Sequence, residues 1–390
     1  MMRVLLLDAS FAARPIHDWL VGAGYEVWTI GNRSGDVLAR RDPGRHILAD
    51  YSDAQAVQGH VDRLGIHHVV PGCTDISIET AQRLSVPGTR MDTPETYRQL
   101  ADKTAFRDLC CELDLPAPRR VAPDAFPMPG RFIAKPTDSF SGRGISVFDG
   151  GDVERAARAL ALARSESRSD TALLETYAEG QLHSYSCFLE RQAVTDGVIV
   201  REDGSVTPWA VDTSYVVTDF PRAGLDILDD VLGRLARHLG LVDGLLHVQF
   251  IWDGSTPWLI ELCRRCPGDL YPWLVQLSTG SPHAARYASY FVGQTVPRAP
   301  HRHRNILRHT VTAGHSSYDG IWFGAPAPLV EYHALAVPGR EVPPAERIDR
   351  VALVFLEYPS AAALAEQHGI FLKRGAYDTQ ALEFRSASHR

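Results

Sequence analysis

Lysine is scarce in this 390-residue chain: of 40 basic residues, only Lys103, Lys135 and Lys373 are lysines. Arginine serves wherever a generic positive charge suffices, so a surviving lysine marks a place that wants a compact, flexible point charge. Cysteine is scarce too, with six thiols scattered at 73, 110, 111, 187, 263 and 266. Such thin usage speaks against a disulfide framework and fits reduced thiols in a cytoplasmic protein. No apolar run approaches the roughly 20 residues that a membrane span needs, and MMRVLLLDAS is too short for a secretory signal. The net charge of -7 offers no basic excess to meet nucleic acid. The locally basic HRHRNILRH (301–309) reads as a solvated surface. No G-x-G-x-x-G follows the first apolar run, which leaves dinucleotide binding unsupported.

What is present alternates. RVLLLDAS (3–10), YEVWTIG (25–31) and HHVVPGCTD (67–75) read as buried strands, separated by helical stretches such as RPIHDWLVGAG (14–24). Strands alternating with helices predict a parallel sheet covered on both faces. Ligands of such sheets gather at the carboxyl ends of strands, which makes Asp8, Ser10, Asn32, Arg33, Cys73, Thr74 and Asp75 candidates. DTPETYRQLADKTAFRDLCCELDLPAP (92–118) reads as one helix capped at Thr93. A strand-rich region follows from Arg131, then an amphipathic helix over 226–240. HVQFIWDGSTPWLIELC (247–263) predicts a hairpin with its turn at Asp253-Gly254. The chain divides into an α/β domain (1–95), a central region (96–295) with a small subdomain near 120–180 and a larger sheet near 181–295, and a C-terminal α+β module (296–390).

FIAKPTDSFSGRGISVF (132–148) carries the first chemical signal. A P-loop sets its lysine after the glycines and runs into a helix. Here Lys135 comes first and a second β-like run follows, so strand, lysine, small-residue loop and strand succeed one another. Such a loop folds over a polyphosphate and offers it backbone N–H groups. Downstream, Glu175 closes an apolar strand. Gln249 and Glu261 then stand on the two strands of the hairpin, with Cys263, Arg264 and Arg265 beyond. A carboxylate at a strand end beside arginine suits a Mg²⁺–polyphosphate site. The bland reading of Cys263-x-x-Cys266 as structural thiols is preferred, because no second pair has matching spacing.

In order and in motif the chain resembles the ATP-grasp superfamily over residues 1 to about 295. The carrying stretches are ADK (101–103), IAKPTDSFSGRG (133–144), LLETYAEG (173–180) and LIELCRRCPGD (259–269). The resemblance implies that Lys103 and Lys135 hold the ATP phosphates, while Ser141, Gly142 and Gly144 form a lid. It implies that Glu175 meets adenine beside the backbone of Thr176, Tyr177 and Ala178, with His183 near the ribose. Mg²⁺ would be held by Glu261 and by the family's other two metal positions, which fall here at Gln249 and Cys263. Arg264, Arg265, Asp269, Tyr271 and Asp212 are the expected substrate contacts, with Arg265 and Glu261 the expected catalytic pair.

The activity implied is an ADP-forming ligase that joins a small-molecule carboxylate to an amine through an acyl phosphate, of the amino-acid or peptide ligase kind. Neither a nucleic-acid nor a membrane partner is expected, and a homodimer is compatible. Two alternatives share the fold: a nucleotide-binding protein with lost or altered catalysis, and a ligase that passes its acyl group to a carrier thiol.

Overall fold

The computed structural model describes residues 1–138, 142–297, 302–313, 317–341 and 349–380. The chain forms two compact units, one of Met1–Val200, Val217–Gln276 and Gly280–His301, the other of Arg201–Val216, Leu277–Thr279 and Arg302–Arg390. The larger unit opens with β1 (Arg3–Leu7), α1 (Arg14–Gly22), β2 (Glu26–Gly31), α2 (Val37–Arg41), β3 (His46–Leu48), α3 (Ala54–Leu64), β4 (His68–Pro71) and α4 (Asp75–Ala81). The four strands are parallel in the order β3-β2-β1-β4, as the alternation predicts. Leu5, Leu6 and Leu7 are all fully buried, because helices cover both faces of a parallel sheet and every strand position then needs to be apolar. Behind the sheet, Asp8 accepts hydrogen bonds from the backbone N–H groups of Ser10 and Cys73 and ties β1 to the end of β4. Gly72 is required there, since a Cβ would stand 2.2 Å from that of Asp8.

One expectation changes next. The stretch read as a single helix is two, α5 (Pro94–Ala101) and α6 (Lys103–Glu112). Asp102 takes an extended backbone and its side chain accepts from the Ala105 N–H, so it starts a new helix by capping it. This break puts Lys103 at the first position of α6.

The small sheet holds β5 (Arg131–Pro136), β6 (Ser146–Asp149), α7 (Val153–Ser165) and β7 (Ala172–Thr176), with strand order β6-β5-β7. Phe132, Phe148, Ala156 and Leu174 form its core. The larger antiparallel sheet follows with β8 (Gln181–Glu190), β9 (Ala193–Asp203), β11 (Gly244–Trp252) and β12 (Pro257–Cys263), in the order β12-β11-β8-β9. It is backed by α8 (Arg222–Leu239), whose Leu228, Val231, Leu232 and Leu235 are buried at helical spacing. Two helices unexpected from the sequence, α9 (Tyr271–Thr279) and α10 (His283–Val292), complete this part.

The second unit contains β10 (Thr213–Val217) and the strands Asn305–Ala313, Asp349–Tyr358 and Leu329–Ala334, hydrogen-bonded in that order. Its core joins Leu307, Val311, Val354 and Leu356 to Phe371 of the helix Ala361–Leu372.

Candidate active site

Side chains alternate across a strand, so β8, β11 and β12 have two unlike faces. One carries Tyr185, Cys187, Leu246, Val248, Phe250, Leu259 and Leu262 into the main apolar core. The other carries Ser184 and Ser186 on β8, His247 and Gln249 on β11, and Glu261 and Cys263 on β12. Register makes this face a pair of rows: Ser184, Gln249 and Glu261 stand opposite one another, as do Ser186, His247 and Cys263. Ser184 and Ser186 are fully buried while Glu261 is exposed, so the face runs from a closed interior to an open rim. The Tyr271 hydroxyl lies 3.0 Å from Ser184 Oγ, and His283 Nε2 lies 3.0 Å from Ser186 Oγ.

The pairing of β12 skips one residue: Gln249 faces Glu261, but Phe250 faces Leu259. Ile260 is therefore a bulge, and its carbonyl accepts Arg107 Nη2 at 2.6 Å. Arg107 also donates from Nε to Glu175 Oε1 at 2.5 Å, while Lys135 Nζ lies 2.6 Å from Glu175 Oε2. Glu175 is 1% exposed and Arg107 3%. Burial pushes the Lys135 ammonium below its ordinary pKa against the pull of Glu175, and the Arg107 and Lys103 charges push the same way. One buried carboxylate thus faces two buried cations, with a third within electrostatic range. Glu175 alone does not balance the two cations it binds. Arg107 was not expected, although its spacing of four from Lys103 on one helix face was a readable signal.

Glu175 was expected to meet adenine; instead both of its oxygens serve cations. Beside it, the Thr176 N–H donates to the Arg119 carbonyl and the Tyr177 N–H to that of Arg131. Tyr177 lies under the Arg131 guanidinium at 4.6 Å, and Ala178 is half-buried. In the expected lid, Ser141 lies outside the described residues. Gly142 and Gly144 have φ of +73° and +69°. At Gly144 a Cβ would stand 2.7 Å from Glu166 Cβ and 2.8 Å from Pro136 Cγ, so only glycine lets the loop return this tightly.

The two adjacent arginines part company. Arg264 is buried and gives Nε to Asp92 Oδ2, Nη1 to the Leu245 carbonyl and Nη2 to the Val242 carbonyl. With all three nitrogens engaged it anchors the fold, which corrects its expected substrate role. Arg265 turns the other way and forks onto Asp75, Nε to Oδ1 at 2.6 Å and Nη2 to Oδ2 at 3.3 Å. The Tyr97 hydroxyl also donates to Asp75 Oδ1, at 3.2 Å. Asp75, at the first position of α4 beyond β4, is half exposed, so this pair sits at an accessible rim. Asp269, with φ of +52°, is half-buried in the turn that leads from β12 to α9.

Three expectations are corrected by position. His183 shares its face with the apolar core: its ring stacks on Phe250 at 5.6 Å and meets Phe220 edge-on at 5.4 Å. It therefore points away from the Gln249 and Glu261 row. Asp212 belongs to the second unit, where it is buried and accepts from the Ser205 N–H, Ser205 Oγ and Thr213 Oγ1. Its carboxylate is committed to closing a turn within that unit. Burial pushes the Cys263 thiol up to about 11, so it stays protonated, and a soft thiol does not suit Mg²⁺. Among the described residues no group of three His, Cys, Asp or Glu side chains is arranged to hold a metal ion. Asp253 accepts from Ser255, Thr256 and Trp258 in the hairpin turn. Of the three expected metal residues, Glu261 and Gln249 carry oxygen.

No protein-family model and no curated protein sequence matches the chain. Solved structures do. An L-amino acid ligase from Bacillus licheniformis superposes with a TM-score of 0.75 at 14% identity, over 98% of this chain and 99% of that one. A phosphoribosylglycinamide synthetase from Anaerococcus prevotii gives 0.74 at 14% identity, over 97% and 99%. The biotin carboxylase domain of the Hydrogenobacter thermophilus 2-oxoglutarate carboxylase, solved with MgADP, gives 0.70 at 13% identity, over 97% and 90%. At such identities the likeness is one of fold.

Proposed function

We propose, from the premise that the chain has the ATP-grasp fold, that it is an ADP-forming ligase joining a small-molecule carboxylate to an amine. The carrying observation is the charge imbalance at Glu175, where Arg107 and Lys135 share one buried carboxylate. A polyphosphate supplies the negative charge that this cluster lacks. The residues present therefore fit ATP, which would supply the phosphoryl group that activates the carboxylate. Lys135 and Lys103 would hold the phosphates, and the Gly142–Gly144 loop would cover them and exclude water. Glu261 and Gln249 offer oxygens for Mg²⁺, enough only if the phosphates complete its shell, as they do for this cation elsewhere. Arg265, whose fork holds Asp75 in this structure, would take a substrate carboxylate by exchanging Asp75 for it. Tyr271 and Ser184 line the closed end of the same polar face. Acyl transfer needs positioning and charge neutralisation more than a dedicated base, which is in keeping with this set.

A second reading has its own support: with a neutral thiol at 263 and an amide at 249, the site holds one metal carboxylate, as in a nucleotide-binding protein with altered catalysis. ADP release measured with pooled carboxylates and amines, wild type against Glu261→Ala, separates the two. Stimulation that vanishes in the variant supports the ligase. ATP binding without stimulation by any pool supports the second reading, and no ATP binding sinks both.

A further inference from the structure

We propose, resting on the nucleotide-binding reading above, that Arg107 is a positioning residue which frees Lys135 for phosphate by keeping Glu175 paired when the lysine moves. Glu175 is 1% exposed and has two cationic partners on different oxygens, Arg107 on Oε1 and Lys135 on Oε2. For Lys135 to turn its ammonium to an incoming phosphate it has to leave Oε2. A buried carboxylate abandoned by its only cation is strongly disfavoured, so a lone Lys135–Glu175 pair would resist opening. Arg107 removes that obstacle. It does not follow the lysine, because Nη2 is tied to the carbonyl of the bulged Ile260 at 2.6 Å. Its Nη1 is buried and has no hydrogen-bond partner among the described residues, so the guanidinium has a donor in reserve when the charge around Glu175 rearranges. Arg107 thereby links three elements: α6, which Lys103 begins, β7 with Glu175, and β12 beside Glu261. The arrangement acts as a counter-ion exchange, in which phosphate takes the lysine and the arginine retains the carboxylate.

The test is a mutant cycle on the full chain, with affinity for a non-hydrolysable ATP analogue measured by calorimetry and melting temperature followed in parallel. Arg107→Met is expected to weaken binding at least tenfold. Removing the carboxylate removes the need for its guard, so E175Q and E175Q/R107M are expected to bind alike, within about threefold of each other. A purely structural role for Arg107 would weaken binding in both backgrounds, and that result overturns the proposal, as does an R107M variant that binds like wild type. Should R107M fail to fold, R107Q, which keeps a donor for the Ile260 carbonyl, carries the same cycle. A wild type that binds no nucleotide overturns the ligase reading and this one together. An undiminished Arg107 effect in the E175Q background overturns this one alone.

Discussion

The two faces of β8, β11 and β12 are built from the same three strands and differ in everything else. On one face Phe250, Val248 and Leu246 are fully buried in an apolar core. On the other, residues one position away supply hydroxyls, imidazole, amide and carboxylate, ending at an exposed Glu261. A strand can do both because its period of two sorts neighbours onto opposite sides. Stability is concentrated on one face and the proposed chemistry on the other, so substitutions one residue apart have effects of different kinds.

The largest break comes on the apolar face, where Phe250→Ala is expected to cost about 3–5 kcal/mol of stability, read from a denaturant midpoint. A loss under 1 kcal/mol would mean the core does not depend on this face. Of comparable size is Arg264→Ala, about 3–5 kcal/mol, because Asp92 is left buried without its cation. Its neighbour sharpens the contrast. Arg265→Ala, which breaks a half-buried pair whose Asp75 stays partly in water, is expected to cost about 1–2 kcal/mol of stability while raising the KM for the carboxylate substrate. Equal melting losses in the two variants would refute the division of labour. On the polar face, Glu261→Gln is expected to leave stability within about 0.5 kcal/mol and to lower turnover roughly 10²-fold; turnover like wild type would remove Glu261 from the site.

The smallest effect at neutral pH concerns His283, which backs the polar face through Ser186. Burial, helped by Arg286, pushes its pKa down to about 3, against about 6.5 unfolded. As pH falls from about 6.5 toward 3, the unfolded chain binds a proton that the folded chain refuses, so stability declines over that window. His283→Gln is expected to flatten the fall in urea midpoint between pH 7 and pH 5. An unchanged slope would mean that other groups govern it.

Much of the fold was legible. The parallel sheet followed from apolar runs alternating with helices, and the β11–β12 hairpin followed from its Asp253-Gly254 turn. His183 could not be placed, because the side of the sheet it faces follows from the pairing of β8 with β11, where it stands opposite Phe250, and that register has no local signature. The break at Asp102 was hidden because Asp102 lies inside a stretch whose apolar spacing continues through it. Arg264 and Arg265 could not be told apart, because β12 ends at Cys263 and strand parity ends with it.

Local pattern, set by the periods of helix and strand and by the few residues that suit each turn, determined the parallel strands, the amphipathic helix, the hairpin and the candidate residues at their ends. Tertiary structure alone decided which charges meet. Arg107 reaches Glu175 across 68 residues and Ile260 across 153, and Arg264 reaches Asp92 across 172. Pairings of that range leave no periodic trace in a sequence, since they depend on where whole elements pack and on which charges burial forces to find a partner.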